Sequence, residues 1–587
     1  MLRSLKIAAL ALASIGSCDT IIEHFTELPP GWAIETNAAI NPGRPIRMSI
    51  ALQQPRINSF RSRLLADDAS TSPHITKEEA ETWRAPNQED VEAVMTWLDS
   101  KSINETRLDN GWIHFRTSLS DAEEMLEMKM EMYKYEGHHP VLRTTNYSVP
   151  TSLLQAIDFI HPIANFMVPK HDVANAPKPL VVRAEMGNLP ACGKETTPDC
   201  IRQLYDMPAG EATGNLSSTR FGVAGFLNQY ANYDDIDQFL TTSAPALADA
   251  GFNFSTELVN GGQNLQRRDI AGPEANLDMQ YAMALGYPTN VTFYSTGGHG
   301  VLINETGEIN NDEYADNEPF LDLFGHLLNL PDDELPQVLS ISYADDELSV
   351  PRPYAERVCD LMGLLSARGT SIIVGSGDGG ARGTRNSNCR TNDGNNIPVA
   401  MASFPATCPW VTAVGAVSNM NEPPSGAVFS GGGFSQYFPA EEWQQGDIDI
   451  YTASIGDTLK PYYNKQMRAV PDISAIGNRF ITIQKGQETP LAGTSASTPV
   501  VASMIALIND ARAKYGKQSL GWLNKRLYSA SVREVLQDVT SGVSTSCVFE
   551  DGKVPGGWPA AKGWDAITGL GVPNRFPDLM RVLLDDY

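Results

Sequence analysis

Ser495 stands in AGTSASTPV, residues 492–500, between small residues and ahead of an apolar run with helical spacing, SASTPVVASMIALINDARAKYG. That places its hydroxyl at a helix N-terminus, where unpaired backbone N–H groups and the positive dipole end can stabilise an oxyanion. A plain capping serine fits the same position. A nucleophilic serine needs a base. Of the histidines, at 24, 74, 114, 138, 139, 161, 171, 299 and 326, only His299 and His326 share the C-terminal part of the chain with Ser495. His326, in the apolar stretch LDLFGHLLNL, reads as a packing residue; His299, in TGGHG, has no acidic neighbour to orient its ring. Carboxylates are better placed. AGPEANLDMQYAMAL holds Glu274 and Asp278, with Pro273 suited to the first helical turn. Their spacing puts both on one helix face, Cβ atoms roughly 5–6 Å apart. Partly buried, such a pair holds a proton between its members; solvated, it is an ordinary surface feature. In SIIVGSGDGGARG, glycines end the strand-like run 371–374 and leave Asp378 at its carboxyl end, where α/β sheets carry functional groups. A turn aspartate between glycines fits that pattern too.

These residues need a scaffold. Beyond about residue 190, apolar strand-like runs alternate with helical ones: FGVAGFL, VTFYST, QVLSISY, ERVCDLMGLLSARG, SIIVGSG, VTAVGAV. Such alternation predicts an α/β domain with a mainly parallel sheet flanked by helices. Upstream, residues 19–70 show little periodicity. TKEEAETWRAPN reads as loop, a helix starts at about Gln88, GWIHFRTSLS is strand-like, and SDAEEMLEMKMEMYKYEG reads as a second helix. Together these predict a small α+β domain. The stretch 169–190, with its four prolines, reads as a linker, and NSNCRTNDGNNIP, 386–398, as a polar surface loop.

The chain has 587 residues and a net charge of −26, which disfavours nucleic acid and anionic membranes as partners. MLRSLKIAALALASIGSCD opens with basic residues, a short apolar run over 7–15 and small residues near 17, the pattern of a secretory signal rather than a membrane span. Sequons at Asn104, Asn146, Asn215, Asn253, Asn290 and Asn304 suit a secreted glycoprotein. Apart from Cys18 at the signal junction, the cysteines are Cys192, Cys200, Cys359, Cys389, Cys408 and Cys547. An even number predicts disulfides, Cys192–Cys200 closing a short local loop, but the remaining pairing stays open. No Cys/His cluster suggests zinc.

Taken in order, ExxxD on a helix, SGD after a strand and GTSxSxP at a helix start resemble the signature of the sedolisins. These serine-carboxyl peptidases are similar to subtilisin in fold and use Glu and Asp in place of His and Asp. The resemblance extends to TPDCIRQLYDMP, LSISYADDE, FSGGGFSQYFP and GWDAITGLGVPN, and so to nearly the whole chain. It is closest to the tripeptidyl peptidase branch. It implies a signal peptide over 1–17, a prosegment over 18–190 and a subtilisin-like catalytic domain over 191–587. It also implies roles: Ser495 as nucleophile, Glu274 as general base, Asp278 as its orienter, and Asp378 as donor to the oxyanion beside the Ser495 amide.

The resemblance further implies one Ca²⁺ per chain near the C-terminus. LQDVTSG and AAKGWD match the family's calcium stretches, giving the Asp538 and Asp565 carboxylates and the carbonyls of Val539, Ala561 and Gly563; Ala561 stands where relatives often have glycine. The expected activity is acid-acting release of tripeptides from free N-termini of peptides and proteins, with a sedolisin endopeptidase as the alternative. LSISYADDE and FSGGGFS, 429–435, are expected to wall the substrate cleft, and Asp345, Asp346 and Glu347 to be candidates for holding a substrate α-ammonium. The prosegment is expected to inhibit its own enzyme, its histidines acting as a pH trigger. The chain is expected to be a monomer, secreted to the extracellular space or delivered to an acidic vacuole.

Overall fold

The computed structural model describes most of residues 19–164 and 195–585; residues 1–18, 67–72, 167–194, 299–301, 311–317 and several shorter stretches lie outside the description. The expected signal segment, the linker, Cys192, His299 and the sequons at Asn215 and Asn304 fall in those stretches.

In the N-terminal unit, β1 (Pro45–Leu52), β2 (Thr106–Asp109), β3 (Trp112–Ser118) and β4 (Ile157–His161) form an antiparallel sheet in the order β2-β3-β1-β4. Ile46, Met48, Ile50 and Leu52 of β1 alternate onto the core face. The helices α1 (Ile57–Ala66), α2 (Lys77–Arg84) and α3 (Gln88–Ser100), with a shorter one over Leu119–Met125, belong to the same α+β unit. Three sequence expectations are corrected here. Residues 19–70 hold two further strands, Asp19–His24 and Trp32–Ile34, besides β1 and α1; the strands are short, and α1 buries only Ile57, Phe60 and Leu64. The segment read as loop forms α2, because Thr76 and Glu79 make a reciprocal capping box. The helix read over 120–137 stops at Met125 and gives way to a strand, Glu131–Tyr135. Met128, Met130 and Met132 are all buried, a period of two that belongs to a strand.

The second unit is built on an eight-stranded sheet. Its strands are β5 (Arg220–Gly225), β6 (Ser255–Val259), β7 (Asn290–Thr296), β8 (Val338–Ile341), β9 (Ser371–Gly375), β10 (Thr412–Asn419), β11 (Ser425–Gly426) and β12 (Ile473–Ile476). The order is β6-β7-β5-β8-β9-β10-β11, with β12 also on β10, and every pairing is parallel except β10–β11. Both faces are apolar, as a parallel sheet covered twice requires. Val338 and Ile373 face the layer of α4 (Pro273–Gly286) and α7 (Thr494–Lys514). Leu339, Ile341, Ile372 and Val374 face α5 (Phe320–Asn329) and α6 (Arg352–Ala367). Helix α7 crosses β8, β9, β10 and β12 and lies against α4. Among the described residues, the disulfides Cys359–Cys408 and Cys389–Cys547 close the unit, the latter with Cys389, from the stretch expected as a surface loop, buried beside Phe549. Residues 385–388 and 392–396 of that stretch lie outside the description. Cys200 is also disulfide-bonded.

The N-terminal unit docks on the outer helices. Arg61 of α1 makes a two-pronged pair with Asp360 of α6, at 2.6 and 2.8 Å. Arg357 reaches back to the Leu52 carbonyl (2.6 Å) and Asp158 (2.8 Å). The His161 ring packs on Tyr354, centroids 5.7 Å apart. His74 lies on Gly369, where a Cβ would stand 2.4 Å from its Nδ1.

Candidate active site

Strand β8 delivers Ser342, β9 delivers Asp378, and α4 and α7 bring Glu274 and Ser495 in their first turns. The site therefore lies at the carboxyl edge of the sheet, between two helix N-termini, as the sequence predicts. Ser495 is 9% exposed. Its hydroxyl donates to the Ser342 carbonyl at 3.4 Å. In the first turn of a 21-residue helix its own amide has no intrahelical carbonyl to bond. Among the described residues no histidine is hydrogen-bonded to Ser495; His326 pairs with Glu257 of the edge strand β6, at 2.7 Å.

Asp378 meets the same helix end. Its Oδ1 accepts from the Thr494 amide (2.7 Å) and hydroxyl (3.1 Å). Gly493 permits this approach: a Cβ there would stand 2.7 Å from Asp378 Oδ2. Gly377 has φ +99°, a conformation glycine adopts freely, and its amide donates to Thr494 Oγ1 at 3.2 Å.

On α4 the two carboxylates sit differently. Glu274 is half-buried, its amide donating to Gln229 Oε1 at 3.1 Å. Asp278, one turn on, is fully buried and accepts from Ser342 Oγ at 2.8 Å. Burial first, and then the charge of Glu274, holds the Asp278 carboxyl well above its usual range, against the pull of the Ser342 hydrogen bond. The pair thus retains a proton where an isolated aspartate would not. The Tyr343 phenol is buried beside both carboxylates, and burial and their charges push it upward. Ser342, Thr494, Gln229 and Tyr343 were not singled out as site residues from sequence. Ser342 and Tyr343 lie in LSISYADDE, at a strand end, which is the signal that could have found them.

The acidic residues after Tyr343 are placed differently from the expectation. Glu347 is fully buried and accepts from Ser435 Oγ (2.6 Å) and the Gln436 amide, fastening the FSGGGFS segment. Asp346 accepts from the Thr384 amide at 2.7 Å, and Asp345 is 2% exposed. Asp346 and Glu347 tie loops together because main-chain donors reach them, so the buried Glu347 is removed from the candidates for an ammonium ligand.

The C-terminal residues also converge. Ala561 N–H donates to Asp565 Oδ2 (3.1 Å) and Gly563 N–H to Asp538 Oδ2 (2.9 Å), so one turn gathers both carboxylates. Asp565 is fully buried with no ion-pair partner among the described residues, and burial pushes its carboxyl up to about 7. Two carboxylates gathered by one turn supply hard oxygen donors of the kind that Ca²⁺ takes, although among the described residues no group of three or more metal-binding side chains occurs.

The Pro-kumamolisin activation domain family matches residues 32–166, and the Subtilase family residues 291–550. Tripeptidyl-peptidase SED2 of Arthroderma otae is 34% identical, over 99% of this chain and 98% of its own. The probable tripeptidyl-peptidase SED3 of Trichophyton verrucosum is 35% identical, over 94% of each. The chain belongs to the sedolisin family. It is accordingly a serine peptidase that carries its activation domain in the same polypeptide. The solved structure of Pseudomonas sedolisin, a serine-carboxyl proteinase, is similar at 19% identity over 66% of this chain and 97% of that one, with a TM-score of 0.48. In this chain Ser342 bridges Asp278 and Ser495, and Asp378 meets the same helix end through Thr494.

Proposed function

We propose that the chain releases tripeptides from free N-termini by acyl transfer through Ser495. The observation that carries this reading is the pair of half-buried Glu274 and fully buried Asp278, joined through Ser342 to the helix end that bears both Ser495 and the contact with Asp378. Glu274 takes the Ser495 proton as Oγ bonds to the scissile carbonyl carbon, and gives it to the departing amine. Water then repeats the sequence on the acyl-enzyme. Asp278 orients Glu274. Asp378, its Oδ1 engaged by Thr494, donates from Oδ2 to the oxyanion beside the Ser495 amide. That donation requires a protonated Asp378, while Glu274 must be ionised, so activity belongs to acid pH. The full-length similarity to tripeptidyl-peptidases supports the product size. The test offers one peptide at about pH 4–5, with a free or an acetylated α-amine. Successive tripeptides from the free form alone are expected; equal internal cleavage of both would make it an endopeptidase.

The same reading assigns residues 1–17 to a signal peptide, 18–190 to an inhibitory prosegment and 191–587 to the mature enzyme, a monomer delivered to the extracellular space. The disulfides support an oxidising compartment. No helix among the described residues is long and apolar enough to cross a membrane. Asp538, Asp565 and the carbonyls of Val539, Ala561 and Gly563 would hold one Ca²⁺, which would neutralise the buried Asp565 and fasten the turn to the core.

A further inference from the structure

Ser342 touches both ends of the candidate machinery through two different groups. Its hydroxyl donates to Asp278 Oδ1 at 2.8 Å and lies 3.4 Å from the Ser495 carbonyl; its own carbonyl accepts the Ser495 hydroxyl at 3.4 Å. Among the described residues it is the sole hydrogen-bond donor to the Asp278 carboxyl, whose Oδ2 is buried and has no partner. The other titratable groups facing Asp278 are Glu274, on its own helix, and the Tyr343 phenol, from the end of β8. Asp378, from the end of β9, meets the α7 terminus at Thr494.

We propose that Ser342 is a positioning residue that orients the Asp278 carboxyl through Oδ1 and so reserves Oδ2 for the proton shared with Glu274. The proposal rests on the reading of Ser495, Glu274 and Asp278 given above. A carboxyl held at one oxygen cannot rotate, and its proton resides on the other. The hydroxyl also favours the ionised carboxylate, which limits how far burial and repulsion raise the pair's affinity for protons. The carbonyl of the same residue is a resting acceptor for Ser495, from which the hydroxyl swings toward Glu274 when substrate arrives. Replacing the Ser342 side chain leaves that carbonyl in place, so the two roles are separable.

The experiment compares Ser342→Ala, Ser342→Thr and Ser342→Cys with the parent, after acid maturation of the full chain, as kcat and KM across pH. Ser342→Ala is expected to lower kcat about tenfold, with KM changed less than about twofold. Its acid limb should move about one pH unit upward, because a pair without its donor protonates at higher pH. Ser342→Thr, which keeps the hydroxyl, should return both toward the parent. Ser342→Cys, close in volume but a weak donor, should fall between Ala and Thr, and decides the matter if the Ala variant does not mature. An acid limb identical to the parent's in the Ala or Cys variant overturns the proposal. Ser495→Ala is carried alongside: activity surviving in it would refute the underlying reading. A dead Ser495→Ala with an unshifted Ser342→Ala would refute the role of Ser342 alone.

Discussion

Asp378 reaches the helix of Ser495, the proposed nucleophile, through Thr494, one residue before it, and this geometry separates the proposed roles of the acidic residues. Removing the donor by Asp378→Ala should cost about 10²–10³ in kcat while KM changes little, because the oxyanion exists only in the transition state. Ser495→Ala and Glu274→Gln, measured on matured enzyme, should each lower kcat by roughly 10³–10⁶, and the double variant should lose little more, since members of such a set act as a unit. A double variant whose losses multiply would show that the two work independently. The positions of these four residues were legible in the sequence, at a proline-started helix, a glycine-broken strand and a small-residue helix start, but a capping serine or a turn aspartate fits such spots too, and their roles came from the order of the motifs in the family they resemble. Ser342 could not be read so, because its role depends on β8 ending between α4 and α7, a meeting that no local pattern encodes.

At the scale of elements, the docking of the prosegment onto α6 is the place where acid should act. Burial lowers His161, packed on Tyr354, from 6.5 to about 3, with Arg143 adding to the effect. It lowers His74, against Gly369 and Ser519, to about 4, Arg512 adding to it. Depressed imidazoles favour docking above pH 6.5, where both states are neutral. As pH falls from 6.5 towards 4, the undocked prosegment takes up protons that the docked one refuses, and docking weakens. His161→Phe, which keeps the stacking, and His74→Gln should therefore shift half-maximal processing of the zymogen to lower pH; an unchanged midpoint in the double variant would exclude both rings as triggers. His24, His138, His139 and His171, also part of the trigger expected from sequence, have no described side chains. The parallel core was legible because its strands are buried on both faces and read as continuous apolar runs. In the prosegment, α2 was missed because it buries little besides Ala80 and Arg84. The methionine-rich stretch was read as helix because a Ser/Asp cap opens it, and a capped helix does begin there, but it ends at Met125 and the buried methionines beyond alternate.

For the whole molecule, calcium should be a matter of stability. At about 100-fold excess over its dissociation constant, the ion should raise Tm by roughly 5 °C, and chelation should reverse the gain. Asp565→Asn should abolish the response, as read by thermal unfolding with and without chelator; a chelator-sensitive Tm in that variant would remove Asp565 from the ligand set.

The order of parts along the chain has a consequence for biosynthesis. Domains fold as they emerge, N-terminal first. The unit that docks on α6 is complete at β4, before any strand of the peptidase sheet has been made, whereas Ser495 and the β12 strand beneath its helix come late. A ribosome therefore finishes the activation domain long before it finishes the peptidase domain. During synthesis the peptidase sheet is thus assembled only after the activation domain has been made ahead of it on the same chain.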